Sequence, residues 1–361
     1  MDILSLIILF LVSSASATEY VLNSSSIEQF KNGIHYSGED ELLLIIEDNV
    51  TIQSSSNVGI QSAAPVTISS PANSTLTIII NNDSEMLYGI KAPSVSVGSG
   101  VLDITVNGNN TGADSIAFGI RAESGNISIS GGKIITNVNT TGHKNKGISA
   151  SRFVIITGGI IDANPHGGTN TYGLDGGNGG AGTGGVMISG GCISVFSTGG
   201  AIMNMGVDAK FGMIGISGNP VILIYANESG TENYPYNPDI TISGDNAVVF
   251  TSTGGIFTLR KNAVLTQNAS FIADRTFEIP EGMNLRISEG EYLYKPAGTR
   301  FDFGSGYGTF EYGRAIPLSG GAVIFTGKDP IGTENIQESP LSVVGLFAGL
   351  GTVVLMRRKI S

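Results

Sequence analysis

The side chains able to do chemistry are few, and their spacing groups them. Aligned on a recurring Gly-Ile phrase, the position after the Ile reads Gln61, Lys91, Arg121, Ser149 and Asp175. If the Ile points inward in an extended chain, its neighbour points outward. Lys91 and Arg121 would then stand about 5 Å apart on neighbouring strands. Two cations that close repel each other unless an acid or a ligand offsets them. Glu123 is one such acid; an anionic glycan in a shallow polar groove is the sharper expectation. Tyr88, Phe118 and Tyr172 each precede the Gly of the phrase and could stack beside that groove. Tyr234, Tyr236 and the stretch from Tyr292 to Tyr312 are other aromatic candidates for sugar contact.

A second set carries oxygen. Asp162 and Asn164, just before the Gly-rich run from His166 to Gly185, and Asp175 and Asn178 within it could ligate Ca²⁺. The run lacks the Gly-Lys-Ser/Thr of a phosphate loop, and a plain loop bulging from the body is the simpler expectation. No other cofactor is indicated. Catalysis finds little support. No Asp-Asp pair occurs, no convergent pair of carboxylates can be read, and His35, His143 and His166 sit in turn-like polar contexts. The single Cys, Cys192, cannot form an intrachain disulfide and is expected to pack in the core.

The elements that must carry these residues repeat. Gly-Ile-Gln-Ser at Gly59 returns at Gly89, Gly119 and Gly147, more weakly at Gly173, and as Gly-Ala-Ile at Gly200. The steps are 30, 30, 28, 26 and 27 residues. A second phrase interleaves with it: Ile129-Ser-Gly-Gly, then copies at Ile156, Ile188, Ile216 and Ile242. Two phrases on one period predict a solenoid. Short β-branched runs such as Leu76-Thr-Ile-Ile-Ile, broken by Gly, Asn and Ser, predict about three strands per coil. Ile60, Ile90, Ile120, Ile148 and Leu174 form an inward ladder in this reading, with the Gly before each in a tight corner at positive φ. The fold class is therefore all-β, a right-handed parallel β-helix over residues 18–245. A β-sandwich is the competing architecture, but it does not require one phrase to return on a fixed period.

This pattern resembles the pectate-lyase-like β-helix superfamily, and within it the Gly-rich surface proteins whose coils read Ile-Ser-Gly-Gly-x-Ile. The resemblance covers roughly residues 20–245. It implies a carbohydrate-binding or adhesin-like role, although the fold hosts enzymes, binders and passive stalks alike. The superfamily's hydrolases use Asp clusters, Gly-His-Gly and Arg-Ile-Lys, which are absent here; Gly142-His143-Lys144 is the nearest approach. A polysaccharide lyase or hydrolase is accordingly the lesser alternative.

Composition agrees with an extracellular body. The 361 residues carry a formal net charge of −11, and only 14% are charged, which argues against nucleic acid as a partner. Residues 1–17 read as a signal peptide, with an apolar run from Ile3 to Val12 and Ala15-Ser-Ala17 as the cleavage site. Ser26 is the expected N-cap of a short helix covering the first coil. Nine glycosylation sequons follow, at Asn23, Asn49, Asn73, Asn82, Asn109, Asn126, Asn139, Asn227 and Asn268. Residues 246–330 change phrasing and predict irregular β-rich coils or a small β domain. Residues 331–340 form a polar linker. Residues 341–356 form an apolar segment that would span about 24 Å as a helix, and the basic tail 357–361 follows. The tail should stay cytoplasmic, leaving the N-terminal body outside the cell. This ending resembles the anchors of archaeal surface proteins. The expected partners are an extracellular glycan or another cell-surface component, together with the membrane. A structural envelope or stalk role stands close behind adhesion.

Overall fold

The computed structural model describes residues 17–326, apart from 178–183, 210–211, 227–229, 238, 273, 303–308, 313 and 319–320. The expected signal peptide up to residue 16, the linker, the apolar segment 341–356 and the basic tail lie outside the described residues. Among the described residues no helix is long and apolar enough to cross a membrane.

The body is a right-handed parallel β-solenoid with almost no helix. Each coil runs through three short strands, as in Val95–Val97, Val101–Gly108 and Ile116–Ala122. Stacking these strands builds three sheets. The first has nine strands, from Ala17–Leu22 to Ile240–Ile242. The second runs through the coils from Val50–Ser54 to Val248–Ser252. The third has eight strands, from Ile34–Tyr36 to Glu232–Asn237. One coil cannot bury its own apolar face, and stacking makes the core continuous. The two phrases are the rungs of that core. Ile129 pairs with Ile156, Ile156 with Ile188, Ile188 with Ile216 and Ile216 with Ile242. Ile60, Ile90, Ile120, Ile148 and Leu174 form a second inward ladder, all fully buried.

Three expectations need correction. The glycines before that ladder are not at positive φ. They are needed because a Cβ on Gly89 would lie 2.3 Å from a methyl of Ile104 and 2.5 Å from the Gly119 carbonyl oxygen. The positive-φ corners belong to the other phrase, at Gly100, Gly132, Gly159 and Gly191, where the chain turns from the first sheet to the second. The sixth copy of the Gly-Ile phrase is not at Gly200. Leu174 pairs with Val207, so the copy is Gly206-Val207-Asp208; Gly200 lies in the preceding turn. Ser26 precedes the single helical turn Ile27–Phe30 but makes no side-chain cap. Its hydroxyl instead donates to the Val21 carbonyl oxygen at 2.6 Å, back in the first strand. That strand, Ala17–Leu22, pairs with Glu41–Ile46 and begins the stack.

Past Ser252 the chain reverses. Ile256–Leu259 pairs antiparallel with Val248–Ser252, and later strands stack onto it in parallel. The reason is apolar. In the last coils the outer face of the second sheet carries Val221, Leu223, Val248 and Phe250, which cannot be left in water. The returning chain covers them with Phe257, Phe271, Phe277, Leu285 and Leu293, making a second core. Phe271 and Phe277 stack at 4.1 Å, and Phe250 meets Phe277 edge-on at 5.2 Å. Cys192 sits beneath this cover on the outer face of the sheet, not in the solenoid core; its Sγ lies 3.8 Å from the Asn268 carbonyl oxygen. Burial pushes its thiol up to about 11.

Candidate functional site

The outer face of the third sheet gathers the residues that the sequence grouped. Register carries one row through Gln61, Lys91, Arg121, Ser149, Asp175 and Asp208. The row beside it runs Val58, Tyr88, Phe118, Lys146, Tyr172 and Met205. Tyr88 and Phe118 stack at 5.2 Å with their planes 2° apart. Tyr172 does not join them, because Lys146 occupies the coil between. The Lys146 ammonium lies 5.9 Å from the Phe118 ring and 4.9 Å from the Tyr172 ring. Lys91 covers Tyr88 at 5.0 Å and Arg121 covers Phe118 at 5.4 Å. Tyr88 and Phe118 are thereby reduced to 6% and 5% exposure. These two rings hold cations in place and are not open platforms for sugars.

The charges are offset one by one. Lys91 pairs with Glu123 at 3.2 Å, the partner foreseen for it. Lys146 pairs with Asp175 at 2.5 Å, and the Ser149 hydroxyl donates to the same carboxylate oxygen at 2.9 Å. Arg121 is different. It donates to the hydroxyls of Ser149 and Ser151 at 2.8 and 2.9 Å. Among the described residues no carboxylate stands at ion-pair distance from it. Burial lowers its pKa, and the fields of Asp175 and Glu123 work against that shift. The guanidinium stays protonated in any case. Burial, with Asp208, Asp175 and Glu232 adding to it, pushes the Tyr172 phenol up to about 12.

The sequence reading missed two members of this face. Lys146 is one, because it stands where an aromatic stands in the neighbouring copies. Asp208 is the other. It is the cross-strand partner of Asp175, and the two are 6% and 1% exposed. Two buried carboxylates thus stand on adjacent rungs, a pairing that the linear sequence hides and that aligning on Gly206 in place of Gly200 would have exposed.

The proposed calcium set is divided. Asp162 and Asn164 lie on the second sheet, Asp175 lies on the third, and Asn178 lies outside the described residues. The Asn164 amide donates to Asn137 at 3.2 Å. Asp162 faces Lys133 and Ser194. Among the described residues no three His, Cys, Asp or Glu side chains are placed to hold a metal ion.

Of the sequons, Asn49, Asn73, Asn109 and Asn139 are exposed. Asn23, Asn82, Asn126 and Asn268 are half-buried, with side-chain amides engaged in hydrogen bonds. Asn227 lies outside the described residues.

Compared with protein-family profiles, curated proteins and solved structures, the chain matches none.

Proposed function

We propose that this protein is an adhesin-like, glycan-recognising surface protein that binds an acidic polysaccharide on the third sheet and does not turn it over. The observation that carries this is Arg121. A largely buried guanidinium has five N–H donors, and Arg121 spends two of them on hydroxyls that carry no neutralising charge. A sugar carboxylate or sulfate would supply that charge, in the bidentate geometry that guanidinium favours. Lys91, on the preceding rung, adds a second cation at the edge of the same row. In this reading the body belongs with the pectate-lyase-like surface solenoids. Residues 1–17 export it, the helical turn at Ile27–Phe30 caps its first coil, residues 341–356 hold it in the membrane in the archaeal manner, and the exposed sequons carry glycans.

A second reading has its own observation. The Asp175–Asp208 pair puts two carboxylates on adjacent rungs, and paired carboxylates are what glycoside cleavage requires. One experiment separates the readings. The full chain is sedimented with insoluble polygalacturonate, alginate and uncharged glucan, with and without a chelator, and the supernatant is assayed for released sugar. Binding to the acidic polymers without release is expected, lost in Lys91→Glu/Arg121→Glu with the solenoid still folded. Unchanged binding in that double variant sinks the proposal. Released sugar moves the weight to the carboxylate pair, and neither binding nor release to a passive envelope or stalk role.

A further inference from the structure

The returning C-terminal coils do not close fully on the flank of the solenoid. Between them and the outer face of the second sheet lies a cavity of about 400 Å³. The wall from the returning coils is apolar, with Phe271, Ile272, Tyr294 and Pro296. The opposite wall is polar, with Asp162, Lys133 and Ser194. The cavity continues into a groove of about 710 Å³ that shares Lys133, Ile160 and Cys192 with it. The groove runs over Gly100, Gly132, Gly159 and Gly191, all at positive φ and all without side chains, so much of its floor is bare backbone. Gln267 fixes the far wall by donating to the carbonyl oxygens of Gly191 and Asn219, at 3.0 and 2.8 Å. Glu291 and Thr266 line the same groove.

The chemistry of this cleft is specific. A concave site of about 300–1,000 Å³ with apolar walls and a few convergent polar groups is the common form of a small-molecule site. A sugar ring has the matching surfaces, an apolar C–H face and a rim of hydroxyls. The half-buried Ile272 and Pro296 suit the face; Asp162, Ser194 and Lys133 suit the rim. One acid and one base face each other across neighbouring strands, so the cavity has no excess positive charge to select an anion. The groove continues along the stacking axis, which suits a chain of sugars over a single one.

We propose that this cleft is a second binding site, for a neutral oligosaccharide. It lies on the second sheet, away from the cationic row on the third, and does not depend on that row's being a glycan site. The test is calorimetric titration of the full chain with cellohexaose, laminarihexaose and mannohexaose, with hexagalacturonate as the anionic comparator. At least one neutral hexasaccharide should bind. Ser194→Trp, which fills the cavity from the half-buried outer face, should abolish that binding. Asp162→Asn keeps the size and removes the charged acceptor, and should weaken it about tenfold or more. Lys91→Glu/Arg121→Glu should leave it unchanged, and hexagalacturonate should respond in the reverse way. The proposal is overturned if no neutral hexasaccharide binds, if binding survives Ser194→Trp, or if the cleft variants remove hexagalacturonate in place of the neutral sugar. Should Ser194→Trp lower the melting temperature, Asp162→Asn alone decides, and full affinity in that variant overturns the assignment.

Discussion

At the scale of single residues the third sheet is built on compensation. Lys146 and Asp175 are almost fully withdrawn from water, their side chains 11% and 1% exposed. Removing one partner strands the other as a buried charge, which costs about 3–5 kcal/mol, whereas replacing both with apolar groups is often neutral. Urea denaturation should therefore show Asp175→Ala destabilised by about that amount and Lys146→Met/Asp175→Leu close to the parent. A double variant as unstable as the single one would mean that the pair does more than neutralise itself. Asp162 poses the opposite case. Burial raises its carboxyl above the ordinary 3.8, with Lys133 and Ser194 pulling it back. The folded chain then binds this proton more tightly than the unfolded chain. The contribution to stability is full below the unfolded value and is lost as pH rises through the folded one. Asp162→Asn removes that loss, so its melting temperature relative to the parent should be higher at pH 7 than at pH 4. A difference independent of pH would show that the carboxyl is not held in this way.

At the scale of the element, glycine separates two kinds of turn in this chain. Gly89 has no room for a methyl group, because the backbone of the next coil is already at contact. Gly98, in the turn beside Gly100, would meet nothing within 4 Å. Gly89→Ala should cost about 3 kcal/mol or more through overpacking, and Gly98→Ala should stay within about 0.5 kcal/mol. Equal effects at the two positions, measured by thermal melts, would contradict the packing described for the third sheet. The interior of that sheet is not wholly apolar either. Asn145, Thr171 and Asn204 stand in register inside it, fully buried. They survive there by bonding to each other and to turn carbonyls, Thr171 to Asn204 at 2.8 Å and Asn145 to the Thr140 carbonyl at 2.9 Å. Polar residues in this row would look like a surface row in the linear sequence, because the alternation alone does not say which polar groups find partners.

At the scale of the molecule two cores share one chain. The solenoid core runs the length of the stack, and the second core exists only where the chain folds back on it. A chain ending at Asp245 would expose Val221 and Leu223 on an open sheet face, a condition that favours association. That truncation should aggregate on expression, and Val221→Lys/Leu223→Lys in the same truncation should restore solubility. Phe277→Ala tests the same contact in the intact chain. Phe277 is fully buried among Phe250, Phe257 and Phe271, and its loss should cost about 3–5 kcal/mol. Hydrogen exchange should place that loss in the C-terminal coils and leave the first coils protected. Uniform loss of protection would mean that the two cores unfold as one.

The sequence by itself determined the solenoid, the inward ladder from Ile60 to Leu174 and the row holding Lys91 and Arg121. Every coil solves the same local problem, so the answer recurs at a readable period. It determined the Lys91–Glu123 pair for the same reason, since only one coil separates the partners. Only the tertiary structure decided what depends on register across unequal coils. The step from Gly173 to Gly206 is longer than its neighbours, and it alone brings Asp208 beside Asp175. Only the tertiary structure, too, decided that Lys146 stands between two rings, that the glycines of the Gly-Ile phrase serve packing and not corners, and that Asp162 lines a cleft. That cleft has one wall from residues 133–194 and the other from residues 270–296. No periodic pattern connects those stretches. They meet because the outer face of the second sheet turns apolar late in the stack and the chain must come back to cover it.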